Sequence, residues 1–363
     1  MAIIWADFPS GQLGLYGTST ANMLNGIWAQ IEVGGAGGQI NLANDPDPNI
    51  ASAGRVFQCE AGSNGSSYGR IVHPGGAQPT VGIGVRLWQS ELPEGNGNKG
   101  NAAIWFRTSA NASICYLKAL SDGSLGFYNS SNTLLGQTSP ILTASAYHHI
   151  EIKVLRDATV GTAEVRVNGA TVLDLENLAL GASDIGQIWL GSWQDTVNDP
   201  DIINSFKDFV FLDGTGSEGN DFQGSVAVHD LYTDADISLN WTPSTGSTGW
   251  DLIDETTPND ADYIGAPDPA PAAYVASLTD LPEDVTSVRA LLPIYRATKT
   301  DGGDCNIQVG ITPNNTNWDD GADRPMTTAY TYWWDVSHLS PATAAPWTPV
   351  EVNAAYVRAD RTL

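Results

Sequence analysis

Basic residues are scarce in this chain: 16 lysines and arginines stand against 41 aspartates and glutamates, a formal net charge of −25 over 363 residues. A polymer of that sign repels phosphate backbones, which excludes general nucleic-acid binding as a function. Cysteine is equally sparse. Cys59, Cys115 and Cys305 are odd in number, widely spaced and free of any C-x-x-C pattern, so neither a disulfide framework nor a zinc site is indicated. Cys115, within Ile-Cys-Tyr-Leu, reads as a buried free thiol. No window approaches the roughly 18 apolar residues that cross a bilayer. Residues 1–8 lack both a basic region and a long apolar run, so the expectation is a product with no signal peptide, made in a cytoplasm and not inserted in a membrane. A convincing amphipathic helix is missing too, apart from one short candidate near the end.

What the chain has in quantity is glycine, proline and short alternating segments: 38 Gly, 20 Pro and 42% hydrophobic residues. That combination predicts an all-β globular protein rich in turns, and its length predicts two domains. The organising stretch is 147–175. Ile150, Ile152 and Val154 alternate with Glu151 and Lys153, and Val165 and Val167 alternate with Glu164 and Arg166, the period of half-buried strands. Asn168-Gly169 between apolar runs predicts a type I′ hairpin turn, because that turn needs positive φ at both central residues. Adjacent His148 and His149 point to opposite faces of their strand, one packed and one solvated. Glu151, Glu164 and Asp174 read as a solvated strand face.

Further strands are expected at 27–33, 81–87, 103–107, 113–118, 124–129, 185–193 and 206–212, with one more through Val226, Val228 and Leu231. From about Tyr232 the texture becomes acidic and rich in Pro, Thr and Ser. The predicted domains are therefore 1–235 and 236–363. In the second, strands 288–297 and 306–312 form a hairpin around 300–304, and 330–336 is an aromatic strand. Thr348-Pro349-Val350-Glu351 is a capping box with proline at the first helical position, predicting a helix of about two turns stapled by Trp347 and Val352.

Two stretches carry a resemblance. The first runs Phe206-Lys207-Asp208-Phe209-Val210-Phe211-Leu212-Asp213-Gly214-Thr215-Gly216-Ser217, then Asn220-Asp221-Phe222-Gln223-Gly224-Ser225-Val226. With Tyr147-His148-His149-Ile150-Glu151 and Val165-Arg166-Val167-Asn168-Gly169, it resembles concanavalin-like (laminin G-like) jelly rolls of tailed-bacteriophage virion structural proteins. The second, Ser340-Pro341-Ala342-Thr343-Ala344-Ala345-Pro346-Trp347-Thr348-Pro349-Val350-Glu351-Val352-Asn353, resembles the C-terminal signature of the same proteins. Lys207 stands where that pattern usually has an acidic residue. The resemblance implies an all-β fold of two β-sandwich domains, the first a concanavalin-like jelly roll, the second a smaller antiparallel sandwich with one short helix. It implies a non-enzymatic virion component, an exposed head or tail appendage such as a fibre, spike or decoration. Its expected partners are other virion proteins, further copies of itself and host-surface glycans.

The alternative function is a carbohydrate-binding adhesin, and behind it a glycoside hydrolase. Hydrolysis needs two carboxylates flanking the sugar bond. Neither Glu-x-Asp-x-Glu nor its longer variant is present, so no catalytic residues are assigned. The glycan-binding candidates are Trp193, at a strand end, and Trp318, in an Asn-Trp-Asp-Asp loop, because a wet indole face stacks on a sugar ring. Calcium is the one cofactor considered. Asp195, Asp199 and Asp201 in a single loop offer oxygen ligands, as do Asp319, Asp320 and Asp323 in a second, though neither has EF-hand spacing.

Overall fold

The computed structural model describes residues 3–6, 14–15, 28–34, 39–44, 46, 55–60, 66–72, 76–93, 100–194, 202–214, 220–254, 259–267 and 273–362. They fall into two compact units, Met1–Val228 and His229–Leu363; the sequence texture placed the break at 235/236. Thr233–Ser238 pairs with a strand of the second unit, which draws the break towards the N-terminus.

The first unit contains β1 (Ile3–Ala6), β2 (Gly14–Leu15), β3 (Trp28–Gly34), β4 (Gln39–Asn44), β5 (Arg55–Glu60), β6 (Ser66–Val72), β7 (Thr80–Gln89) and β8 (Gly100–Arg107). There follow β9 (Ser113–Leu120), β10 (Leu125–Asn129), β11 (Leu134–Gln137), β12 (Tyr147–Leu155), β13 (Gly161–Val167), β14 (Ala170–Leu178), β15 (Gln187–Gln194) and β16 (Ile203–Leu212). One sheet runs β14-β13-β12-β7-β16-β5-β4-β2, with β1 also on β16, and the other runs β11-β10-β9-β8-β15-β6-β3. Every pair is antiparallel and most neighbours in space are distant in sequence, which is the two-sheet jelly-roll sandwich.

Alternation explains the core. Val81, Ile83, Val85 and Leu87 on β7, Ile150, Ile152 and Val154 on β12, and Val165 on β13 are all buried. Phe106, Leu117, Phe127, Ile188 and Leu190 are the buried counterparts on the second sheet. The Cys59 thiol reaches from the first sheet to the Leu190 carbonyl at 3.9 Å. Asn168 (φ 51°) and Gly169 (φ 82°) both occupy the left-handed region, so the β13–β14 hairpin has the expected turn. The core also contains a polar seam. Asn204 Nδ2 donates to Asn101 Oδ1 (2.7 Å) and to the Gly191 carbonyl (2.8 Å), Gln89 Nε2 donates to Asn204 Oδ1 (2.9 Å), and Asn101 Nδ2 donates to Ser192 Oγ (2.6 Å). Asn204 and Asn101 are fully buried, so these bonds tie β7 and β16 of one sheet to β8 and β15 of the other.

One expectation of this unit fails. Residues 220–231, where a strand through Val226, Val228 and Leu231 was expected, form none. Side-chain carboxylates take main-chain N–H groups of this stretch, as described below. Strand β16 is also irregular: its register on β7 shifts between Lys207 and Val210, and Asp208 sits at φ 52°. This bulge divides β16, so Ile203–Phe206 pair with β5 and Phe209–Leu212 with β1.

The second unit is a smaller antiparallel assembly. Its strands are β17 (Thr233–Ser238), β18 (Thr242–Pro243), β19 (Ile264–Gly265), β20 (Tyr274–Leu278), β21 (Ile294–Ala297), β22 (Asn306–Thr312), β23 (Asp319–Asp320), β24 (Arg324–Pro325), β25 (Thr331–Trp334) and β26 (Tyr356–Arg361). The main sheet is β17-β20-β26-β22-β23, and β21 pairs with β25. The predicted hairpin of 288–297 with 306–312 is therefore wrong. Pro293, which has no N–H to donate, interrupts the run, and β21 joins the aromatic strand, stacking Tyr295 on Trp333 at 6.1 Å. Helix α1 (Pro349–Asn353) is shorter than the two turns expected, but its box is closed: Glu351 N–H donates to Thr348 Oγ1 (3.2 Å) and Thr348 N–H to Glu351 Oε2 (2.9 Å). Trp347 and Val352 pack with Ile311 in one buried cluster.

Candidate functional site

The second sheet of the first unit has aromatic side chains on the side away from the core. Tyr128 on β10 lies opposite Tyr116 on β9, Tyr116 opposite Trp105 on β8, and Trp105 opposite Trp189 on β15. Their rings make one continuous row: Tyr116 stacks on Tyr128 at 5.3 Å and contacts Trp105 at 6.5 Å. The Arg107 guanidinium caps Trp189 at 3.7 Å, and the Trp189 indole N–H donates to Gln187 Oε1 at 2.9 Å. All four aromatics are buried. Gly126 makes room for this row, since a Cβ there would lie 2.7 Å from the Tyr128 ring.

Trp193 extends the row into solvent. Its ring stacks on Trp105 at 6.0 Å and 25°, yet the residue is 45% exposed. The register of β15 on β8 slips between Leu190 and Trp193. Alternation along β15, which keeps unbroken register on β6, turns Ser192 inward, where its hydroxyl donates to the Ile202 carbonyl at 3.1 Å, and leaves Trp193 outside. A rigid, buried indole thus supports a wet one. The face of such a ring is apolar and electron-rich, and it takes the C–H face of a sugar ring at little entropic cost.

Trp318 is differently placed. It belongs to the second unit, it is half-buried, and the Arg358 guanidinium lies over its ring at 4.5 Å. One stacking face is therefore already taken. Asp195, Asp199 and Asp201 lie outside the described residues, as does the loop holding them. Asp320 pairs with Arg358 at 2.6 Å, and Asp323 accepts from Asn306 Nδ2 at 2.6 Å. Among the described residues, no three histidine, cysteine or acidic side chains are gathered to hold a metal ion.

The outward face of the first sheet holds titratable groups whose setting the sequence did not disclose. Its rows read across β16, β7, β12 and β13: Lys207–Arg86–His149, then Val210–Gly84–Glu151–Arg166, then Leu212–Gly82–Lys153–Glu164. Glu151, expected in solvent, is 3% exposed, and His149 is 4% exposed. Neither histidine of the pair is free in water. His148, half-buried, accepts the Thr143 N–H at 2.9 Å on Nε2. Burial, reinforced by the Arg86 charge, holds His149 down at about 4, so its ring is neutral at ordinary pH. Burial pushes Glu151 up, opposed by two hydrogen bonds and by Arg166. Both ring nitrogens of His149 and Oε2 of Glu151 are buried with no hydrogen-bond partner. Arg86 Nε lies 2.9 Å from Asp208 Oδ2, and Lys207 Nζ sits 4.0 Å over the Tyr147 ring.

What covers this face is the chain itself. The main-chain N–H groups of Gln223 and Gly224 donate to Glu151 Oε1, each at 2.9 Å. The Val228 N–H donates to Asp208 Oδ1 at 2.9 Å. Asp221 Oδ1 lies 3.1 Å from Lys153 Nζ, and the Phe222 ring lies 3.9 Å from the Arg166 guanidinium. Residues 220–228 thus lie across the sheet as an irregular strap. The burial of Glu151 depends on this segment, which lies about 70 residues downstream and makes no local pattern with it.

No family model matches the chain, and no curated protein matches it. Among solved structures the chain is similar to the cellulose induced protein Cip1, at 16% identity and TM-score 0.39, covering 58% of this chain and 97% of that one. It is similar to the alginate lyase vAL-1 from Chlorella virus at 13% identity and TM-score 0.39, covering 51% and 93%. A carbohydrate binding module, CBM66 from Bacillus subtilis, aligns at 14% identity and TM-score 0.31, covering 49% and 92%.

Proposed function

We propose that this protein binds carbohydrate without transforming it, and that Trp193 is the residue a sugar ring stacks on. One observation carries the reading: Trp193 is 45% exposed while its ring rests on buried Trp105. Burial of a large aromatic is strongly favoured, and the neighbouring Trp105 and Trp189 obey that rule. A tryptophan left wet on top of a rigid row is placed for an apolar ring face supplied by a ligand. The non-enzymatic half of the reading rests on how the carboxylates are used. Glu151 Oε1 accepts two main-chain N–H groups and Asp208 is paired with Arg86, so each carboxylate is already engaged within the fold.

The test is a glycan array followed by calorimetric titration of any hit. Trp193→Ala is expected to weaken binding by tenfold or more, the loss of one stacked ring face at about 1.4 kcal/mol. Trp318→Ala is expected to leave it within about twofold, because Arg358 covers one face of that ring. A hit that survives Trp193→Ala unchanged would end the proposal. The sequence resemblance to tailed-phage virion proteins adds a location to the reading, an appendage on the particle that meets host-surface glycans. A mass-spectrometric inventory of purified particles that lacks this chain would remove that part alone.

A further inference from the structure

We propose that Asn168 is a self-modification site: when the β13–β14 turn opens, the Gly169 main-chain nitrogen displaces the Asn168 carboxamide nitrogen, and the isoaspartate that follows keeps the turn from closing again. The proposal is independent of the carbohydrate reading and concerns the frame of the first unit. Its chemistry needs water alone. The Gly169 nitrogen attacks Asn168 Cγ, an N–Cγ bond forms, the Cγ–Nδ2 bond breaks, and ammonia leaves with the proton of the Gly169 N–H. Water then opens the cyclic imide at either carbonyl, giving aspartate or isoaspartate. Glycine makes the nitrogen accessible, having no Cβ to hinder the attack. Asn168 and Gly169 are both exposed, and a Cβ on Gly169 would meet nothing within 4 Å.

The closed turn holds the reaction back. Asn168 (φ 51°) has left the strand conformation, and its side chain takes over the hydrogen bonding of a strand. Oδ1 accepts the His149 N–H at 2.9 Å, beside the Asn168 N–H donating to the His149 carbonyl at 2.7 Å. This exchange prolongs the β12–β13 ladder one step past Ile150 opposite Val167. The carboxamide is thereby tied to β12. Cyclisation requires it to swing round to its own chain, so Oδ1 has to let go first.

Letting go is a local event. Two residue pairs, Val167 opposite Ala170 and Arg166 opposite Thr171, stand between the turn and the register shift of β14. Ala170 and Thr171 are exposed, Leu173 is the first buried residue of β14, and β14 ends its sheet. Opening as far as the shift gives up those pairs, the two His149 bonds, and the bond from Thr171 Oγ1 to Glu164 Oε1 at 2.9 Å. The buried side chains of β14 stay in place. Openings confined to an exposed hairpin end belong to the low-cost fluctuations of a fold.

The two products differ in what they do to the turn. Aspartate keeps the chain length, keeps an oxygen for the His149 N–H, and suits the same turn, since Asp-Gly is a type I′ pair as Asn-Gly is. Isoaspartate routes the main chain through Cβ and turns the former main-chain carbonyl into a free carboxylate. The turn gains a main-chain atom, the acceptor of the His149 N–H moves into the backbone, and the two-residue loop no longer fits the β13–β14 register.

The experiment incubates the full chain in mildly alkaline buffer with and without urea. Mass spectrometry then follows amide-to-acid exchange in the peptide covering Gly161–Leu178. Asn25, Asn64 and Asn96, which also precede glycine, lie outside the described residues and fall in other peptides. Exchange at Asn168 is expected in the native chain at a rate about ten- to a thousandfold below that in urea. Thr171→Ala, which removes the Glu164 bond but none of the reacting groups, should raise the native rate about threefold, the factor for one exposed hydrogen bond, and leave the rate in urea unchanged. A native rate equal to that in urea overturns the gating. One more than about a thousandfold slower means that the turn opens only with the whole unit, and it ends the proposal. An unchanged native rate in Thr171→Ala does the same. The isoaspartate form, separated by ion exchange, should melt a few degrees below the natural chain and expose the His149 N–H to hydrogen exchange, while Asn168→Asp melts within about a degree of it. An isoaspartate form as stable as Asn168→Asp would overturn the claim that the turn cannot close again.

Discussion

Acid should weaken the first unit through His149, by an amount the structure sets. The ring is buried beside Arg86, and its protonation is held to about 4 against an ordinary value of 6.5. The unfolded chain therefore takes up a proton in a range where the folded chain refuses it. Stability from this source is fully present above pH 6.5 and is lost as pH falls from 6.5 towards 4. The whole interval is worth about 3 kcal/mol at 1.36 kcal/mol per pH unit. At pH 5 about 2 kcal/mol of it has gone, and screening by water at the edge of the face trims this to about 1–2 kcal/mol. Glu151 acts with the opposite sign. Its raised value means that the cost of its buried charge is greatest at high pH and is relieved as pH falls through that value. The control is His149→Gln, which removes the histidine proton and keeps Glu151. The assay is urea unfolding at pH 7.5 and pH 5, followed by hydrogen exchange of the peptide covering Tyr147–Leu155. Between those pH values the natural chain should lose about half a molar more in midpoint than His149→Gln. Equal losses in the two proteins would refute the assignment of the acid sensitivity to His149.

Other perturbations test separate parts of the account. Asn204→Ala removes the centre of the buried amide seam and leaves Asn101 and Gln89 short of partners, at a cost of about 2–4 kcal/mol in denaturant unfolding; a change under 0.5 kcal/mol would mean the seam does not tie the sheets. Thr348→Ala opens the capping box of α1 and should cost the second unit about 1 kcal/mol, read as a lower melting temperature. Cys115 is fully buried and burial pushes its thiol far up. It should resist a thiol reagent in the native protein and react on unfolding, while half-buried Cys305 reacts first. Prompt native modification of Cys115, mapped by mass spectrometry, would contradict its position in the core.

Much of the frame was legible in the residues because it is written in short-range signals. The alternation at 147–175, the Asn168-Gly169 turn and the Thr348–Glu351 box each depend on neighbours a few positions away, and each has the expected local form. Pairing in the second unit was misread for the complementary reason. Sequence adjacency favoured a hairpin of 288–297 with 306–312, but Pro293 broke the first run and the aromatic match of Tyr295 with Trp333 took β21 to β25. Trp193 could be singled out as a strand-end tryptophan. That it stands on Trp105 could not, because the contact joins β8 to β15 across more than 80 residues.

The sequence by itself determined the class of the protein: short alternating runs bury one face only, so the chain had to form packed β-layers. It also determined which residues have one solvent-facing side. What covers that side was decided by tertiary structure alone. Glu151 looked like any strand-face carboxylate, and became a buried acceptor when residues 220–228 crossed the sheet above it. Alternation specifies the inward face, since a one-residue slip would expose the whole core. The outward face carries no such constraint, so its chemistry depends on which distant segment, or which ligand, comes to rest on it.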